Sequence, residues 1–362
     1  MSIDPRINES LIHAAKAGDI SNFNAAIKSG ANINYKDPVA IIKVKNGRSY
    51  GRGNTALHIA ILQEDLPLVI RAIELNADCN MCNDNETTPL VFVSIVGNIA
   101  ICELLIKNGA NMSRLTKHGW TPLFIAAFHK HLSVCQLLLD NGADINHISK
   151  NHATPIFMAS FAGELSLCEF FIQKGANVNI ADARGNSPLL IACCKGFLSI
   201  CDVLIKNGAF LDQANSDGAT ALLIAIQNDN LAVCELLVHN GADLSKMCNG
   251  GNSALYLAAN KGNIEICELL IRNGANVHQE RNWHTSLSIA SFKGNTEVVK
   301  LLLCNDAYMN TSFSVASNNG RHDAAAILQS WPTMMFILMS QETTLYNQLD
   351  FGSLVDLFEF SM

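Results

Sequence analysis

Apolar and polar positions along this chain fall into short blocks, and the blocks return in a fixed register. A hydroxyl residue stands at Thr55, Thr88, Thr121, Thr154, Ser187, Thr220 and Ser253, each 33 residues after the last, and Thr285 follows after 32. An alanine keeps the same step at Ala77, Ala110, Ala143, Ala176, Ala209, Ala242 and Ala275, with Ala307 again 32 further on. Two ladders in one register identify a repeat array, and the physical unit can be read from one period.

Thr or Ser is a helix N-cap, its hydroxyl accepting from an unpaired backbone N–H. Proline follows at Pro89, Pro122, Pro155 and Pro188. This first helical position has no N–H partner to lose. A short apolar helix comes next, as in Leu123, Ile125, Ala126 and Ala127. Nine residues after the cap stands Gly97, Gly163, Gly196 or Gly262, and the matching Gly294 closes the later unit. Such a glycine supplies a left-handed helix end. A second helix is predicted over positions such as 101–107, ending at Gly109, Gly142, Gly175, Gly208, Gly241 or Gly274, and an eleven-residue connection leads to the next cap.

The T-P-L caps at Thr88 and Thr121, the second continuing as T-P-L-x-x-A, the L-L-x-x-x-G-A ends and the period of 33 resemble ankyrin repeats over roughly residues 9 to 330. The resemblance implies an all-α fold: an ankyrin-repeat solenoid of about ten helix-pair units with short β-hairpin fingers. The first unit begins near Glu9, eight follow from Thr55 to Thr285, and a degenerate tenth covers 311–328. Residues 1–330 form the array and 331–362 a C-terminal helical cap or docking tail. An insertion of 13 residues lengthens the connection at about 35–53, while the last finger is missing between Ala307 and Thr311. Asn46-Gly47 in the insertion is a hairpin signal. An elongated basic finger carrying Lys43, Lys45, Arg48 and Arg52 and a merely tolerated loop both remain open.

Composition supports a folded chain, with 49% apolar and 16% charged residues. The net charge of −7 argues against general nucleic-acid binding. The start shows no signal or transit pattern, and the apolar stretch 334–339 is too short to span a bilayer. The expected setting is intracellular, cytoplasmic or nuclear.

Candidate chemistry reduces to structure. Cys102, Cys135, Cys168, Cys201, Cys234 and Cys267 recur every 33 residues in the second helix. Neighbouring repeats lie about 10 Å apart, one helix diameter. That is too far for disulfides and unsuited to one zinc ion, so these cysteines read as buried apolar residues. Cys79 and Cys82 form a lone C-x-x-C without a second pair, and Cys193 and Cys194 read as packing and incidental surface. His58 takes the histidine place of the T-P-L-H motif, which the resemblance makes structural. With no phosphate loop, nucleophile elbow or H-E-x-x-H, neither an enzyme nor a cofactor or metal site is expected. The second helices also carry Glu103, Glu169, Asp202, Glu235 and Glu268, four of them followed four residues on by Lys107, Lys206, His239 or Arg272. This pattern suits a solvated face.

In ankyrin repeats, the resemblance implies, a partner lies on the fingers and first helices. The outward positions hold Arg52, Lys117, Lys150, Arg184, Lys195, Lys261, Arg281 and Lys293 against Asp84 and Asp217. That is an excess of six positive charges in a chain of net −7. Trp120, Phe128, Phe161, His118 and His129 cluster in the fourth and fifth units, and Trp283, His284 and Phe292 in the ninth. Aromatic and basic residues of this kind dominate binding energies. The expected function is a protein-interaction scaffold whose protein partner presents an acidic, phosphorylated or aromatic-containing segment, with no nucleic acid and no membrane span. The alternative is an adaptor that binds a client with the repeats and recruits other machinery, such as a ubiquitin ligase, through the tail. After Arg321 the chain has no Lys or Arg, and 331–362 places Leu345, Leu349, Leu354, Leu357 and Phe358 at helical spacing.

Overall fold

The computed structural model describes residues 5–38, 42–43, 49–280, 284–309 and 312–340, with backbone alone at 42–43, 49–50 and 333–340. The chain divides into two units, Met1–Ala183 and Arg184–Met362. In the first the order is α1 (Pro5–Ala17), α2 (Ile20–Lys28), β1 (Ile42–Lys43), β2 (Ser49–Tyr50), α3 (Ala56–Leu62) and α4 (Leu66–Glu74). Then come α5 (Pro89–Val96), α6 (Ile99–Lys107), α7 (Pro122–Phe128), α8 (Leu132–Asp140), α9 (Pro155–Ala162) and α10 (Leu165–Gln173). The second unit contains α11 (Pro188–Lys195), α12 (Leu198–Lys206), α13 (Ala221–Gln227), α14 (Leu231–His239), α15 (Ala254–Lys261) and α16 (Ile264–Arg272). It ends with α17 (Ser286–Lys293), α18 (Thr296–Cys304), α19 (Ser312–Asn318) and α20 (His322–Ser340).

Each odd-numbered helix pairs with the one after it, giving five pairs in each unit among the described residues. First helices pack in sequence from α1 to α9 and from α11 to α19, and second helices do the same from α4 to α8 and from α12 to α20. Every pair is too short to bury a core alone, so each takes its stability from its neighbours.

The predicted caps form. Thr121 and Ser187 accept from the N–H of Phe124 and Leu190 at 3.2 Å, and Thr154 from Phe157 at 3.3 Å. Thr55 adds a reciprocal contact, because its own N–H donates to His58 Nδ1 at 3.0 Å. Thr220 is an N-cap without a side-chain bond. At the end of the first helix Gly97 has φ 90°. A Cβ there would lie 2.4 Å from the His131 ring. Glycine is therefore required at this position both for its backbone and for its small size. His131 uses that close approach, its Nε2 lying 3.1 Å from Ile95 O. Asn295 does the same, its Nδ2 donating to Ala259 O at 2.9 Å. The cap of one second helix thus satisfies a carbonyl at the end of the preceding first helix.

The fingers are not β-hairpins. Among the described residues β1 and β2 are the only strands; they pair antiparallel inside the insertion, Ile42 opposite Tyr50 and Lys43 opposite Ser49. Outside that insertion no repeat connection contains a strand among the described residues. Each finger is a tight turn. In the fourth repeat Thr116 N–H donates to Trp120 O at 3.0 Å and Gly119 N–H to Thr116 O at 2.8 Å. A second rung cannot follow, because Thr121 already caps the next helix and Pro122 has no N–H to offer. Neighbouring fingers share single backbone bonds, such as Lys150 N–H to His118 O at 3.2 Å and Asn249 N–H to Asp217 O at 2.8 Å. Each unit is an all-α stack of paired helices joined by turns.

The base of the insertion is closed by Gly53 N–H to Asp37 O at 2.8 Å and tied to α1 by the Lys16–Asp37 ion pair at 3.2 Å. Its turn at Asn46-Gly47, with Lys45 and Arg48, lies outside the described residues. At the other end α20 runs from the tenth repeat through Pro332 to Ser340, 19 residues against nine in α18. Ala324, Ile327, Leu328 and Trp331 are buried along it. Residues 341–362, where the helically spaced tail residues fall, lie outside the described residues.

Candidate partner-binding surface

The cysteine ladder is interior. Cys102, Cys135, Cys168, Cys201, Cys234 and Cys267 are all fully buried. Burial pushes the thiols of Cys102, Cys135, Cys234 and Cys267 up to about 12 and that of Cys168 up to about 11. Thiols held this high are protonated at neutral pH and poor nucleophiles. All twelve cysteines are free. Among the described residues no group of three or more His, Cys, Asp and Glu side chains is placed to hold a metal ion. Cys193 is buried with its sulfur 3.6 Å from that of Cys201, while Cys194 is exposed. This close pair was not anticipated from the sequence. The signal for it is the eight-residue offset across one repeat, where Ser160 meets Cys168 at 3.6 Å in the same way. A maleimide added to the native chain is expected to modify Cys194 and spare the six ladder thiols until denaturant is added. Stoichiometric native labelling of the ladder would contradict this packing.

The acidic ladder faces solvent on the second helices, as Glu103, Glu169 and Glu235 show. Lys206–Asp202 at 2.7 Å and Arg272–Glu268 at 3.0 Å form as ion pairs. His239 instead sets its Nδ1 2.7 Å from the backbone oxygen of Glu235. Exposed pairs of this kind contribute a few tenths of a kcal/mol each.

On the fingers and first helices of residues 5–183, Lys117, His118, Phe128, Lys150 and Phe161 are exposed, and Trp120 and His129 half-buried. Several of these rings touch. His118 lies 4.8 Å from Trp120 between ring centres, and Trp120 stacks on Phe124 at 5.7 Å with 11° between planes. Phe128 meets His129 edge-on at 5.2 Å. Phe128 and Phe161, 41% and 40% exposed, occupy one slot on the adjacent helices α7 and α9. Trp120 is therefore less solvent-facing than its place on a finger implies, because one face rests on the buried Phe124. The lysines are held by the fingers: Lys117 Nζ donates to Asn85 Oδ1 at 2.8 Å, and Lys150 Nζ to Lys117 O at 2.7 Å.

In the unit from 184 onward Arg184, Lys195, Lys261, His284, Phe292 and Lys293 are exposed. The Lys293 ammonium lies 5.8 Å from the Phe292 ring centre. Arg281 and Trp283 lie outside the described residues. No helix among the described residues is long and apolar enough to cross a membrane.

A family model described as ankyrin repeats (3 copies) matches residues 57–149, 156–248 and 244–313, and another, ankyrin repeats (many copies), matches 129–172. Two curated relatives are Arf-GAP with coiled-coil, ANK repeat and PH domain-containing protein 2 of Rattus norvegicus and of Mus musculus. Each is 35% identical over 65 residues, 17% of this chain and 8% of the relative. The chain thus covers a small part of those relatives' length. With the family match spanning well over half of the residues, the chain belongs to the ankyrin-repeat family, a non-catalytic scaffold for protein–protein interaction.

Proposed function

We propose that the chain grips an acidic or phosphorylated segment of a protein partner on the fingers and first helices, anchored at the aromatic series of the fourth and fifth repeats. The observation that carries this reading is the placement, in two adjacent repeats, of half-buried Trp120 and exposed Phe128 and Phe161 alongside the exposed finger lysines Lys117 and Lys150. The described basic residues of these slots, Arg52, Lys117, Lys150, Arg184, Lys195, Lys261 and Lys293, are all exposed, while Glu103, Glu169 and Glu235 face solvent from the second helices. Exposed aromatic residues provide large contact area at small entropy cost, and nearby cations select the partner. The twelve unpaired thiols suit a reducing setting, which supports an intracellular location, cytoplasmic or nuclear.

Capture of partners by the full chain, followed by binding kinetics with the captured protein, tests the reading. Trp120→Ala is expected to weaken binding by about 2 kcal/mol or more, mainly through faster dissociation. Because Trp120 also stacks on Phe124, a melting curve must show the variant folded at the assay temperature. A folded variant that binds as tightly as the wild type removes the aromatic anchor from the account.

A further inference from the structure

The second helix of the ninth repeat is closed on every side. In α18 the consecutive residues 298–303 are all buried. An α-helix turns once in about 3.6 residues, so such a run leaves no face of that stretch to water. The matching helix α16 buries Ile266, Cys267 and Leu270, a single stripe. Lys300 is 7% exposed, and Leu301 and Leu303 are 3% exposed each. In the repeat register Lys300 matches Glu103, Glu169 and Glu235, which face solvent. Leu301 matches Leu104, Leu236 and Leu269, which are half-buried.

The neighbouring helices do not account for this closure. On α18 pack α16, α17 and α20, the same kinds of neighbour that α14 and α16 have: the first helix of the repeat and a second helix on either side. Those neighbours leave the outer faces of α14 and α16 open. In the repeat register His322 matches Thr296, so the start of α20 lies opposite α18 and its extra turns begin where α18 ends. The exposures are those of one chain alone, so the cover is intramolecular. Lysine is seldom buried without a partner. The Lys300 Nζ lies 3.1 Å from Oε1 of Glu297, whose side chain is itself 54% exposed.

We propose that residues 341–362 fold back along the outer face of α18, setting apolar side chains on Leu301 and Leu303 and a carboxylate beside Lys300. The segment follows directly on α20, which packs on α18. It carries Glu342, Asp350, Asp356 and Glu359 and no Lys or Arg, with leucines at helical spacing from Leu345 to Leu357. Its length suffices. At about 1.5 Å per residue, α20 carries the chain at most about 15 Å past the end of α18, and α18 is about 14 Å long. The segment spans about 33 Å even as a helix, enough to return over both. A tail held this way is not free to dock a second protein, which must first displace it from α18. The contact uses neither the fingers nor the first helices, and it stands or falls apart from the partner surface proposed above.

Hydroxyl-radical footprinting of the full chain tests the cover. Leu301 and Leu303 are expected to be oxidised several-fold more slowly than Leu269 and Ile271, which hold the matching positions of α16. Combining Leu354→Asp with Leu357→Asp should bring the two pairs to the same rate. Leu270, fully buried in α16, should stay protected in that variant and so show the repeats folded. Carbodiimide coupling of an equal mixture of isotope-labelled and unlabelled chain should join Lys300 to a carboxylate of residues 341–362, in products of one isotope. Equal oxidation of Leu301 and Leu269 in the wild type overturns the proposal, as does a tail variant that leaves the rates unchanged. Coupling of Lys300 to Glu297 alone overturns the carboxylate contact. Products of mixed isotope would assign the tail to a second copy of the chain and overturn the folded-back arrangement.

Discussion

Leu138→Ala is expected to destabilise the chain by about 2–5 kcal/mol, the usual cost of emptying a closed core site. Leu138 is fully buried in α8, which packs on α6 and α7. Removing its branched side chain leaves a void shared by more than one repeat. In a stack where stability is shared between neighbours, the loss should spread past its own repeat. Chemical denaturation of wild type and variant measures the size. Hydrogen exchange measures the spread, with faster exchange expected in α6, α7 and α8. A loss below about 0.5 kcal/mol, the range of ordinary surface changes, would mean that the helix faces have been assigned wrongly.

Acid should weaken the fold through His58, and the effect should be large. The imidazole is fully buried, lies edge-on to Phe92 at 5.1 Å and accepts the Thr55 N–H at 3.0 Å through Nδ1. That bond requires a neutral ring with its proton on Nε2. Burial first, and then the nearby Lys36 charge, push its pKa down from 6.5 to about 3, despite the backbone of Thr87 and Met81 facing it. The unfolded chain therefore binds a proton here that the folded chain refuses. Stability is full above the ordinary histidine pKa and is lost as pH falls from about 6.5 towards 3. At pH 5 the loss from this one group is about 2 kcal/mol. Urea midpoints measured from pH 7.5 to 4.5 should fall along this course, and His58→Gln should flatten the slope. An unchanged slope in that variant would place the acid sensitivity elsewhere.

The parts of the fold set by local chemistry were legible in the sequence. Thr121, Pro122 and Gly97 each perform a backbone task that few residues can perform, and a period of 33 repeats that pattern many times over. The same logic holds where glycine is missing. Lys130 and Asp229 take φ values of 67° and 61° at the position of Gly97, so the turn forms there without glycine. The fingers were misjudged because strand pairing depends on how many rungs fit between two helices, and Thr116 to Trp120 leaves room for one. Trp120 was legible as an exposed aromatic, but its stacking on Phe124 depends on side-chain packing.

The central claim is that a positive face on the fingers draws in a negatively charged partner segment. The most direct measurement is the association rate constant of the captured partner with wild type and with Lys150→Glu, each at about 50 and 300 mM salt, values that bracket strong and weak screening. Lys150 is exposed and held at the finger by its bond to Lys117 O, so the substitution reverses charge without opening the core. The wild-type rate is expected to fall as salt rises, with a slower, flatter response in the variant. A wild-type rate independent of salt, or one that Lys150→Glu accelerates, would contradict the claim.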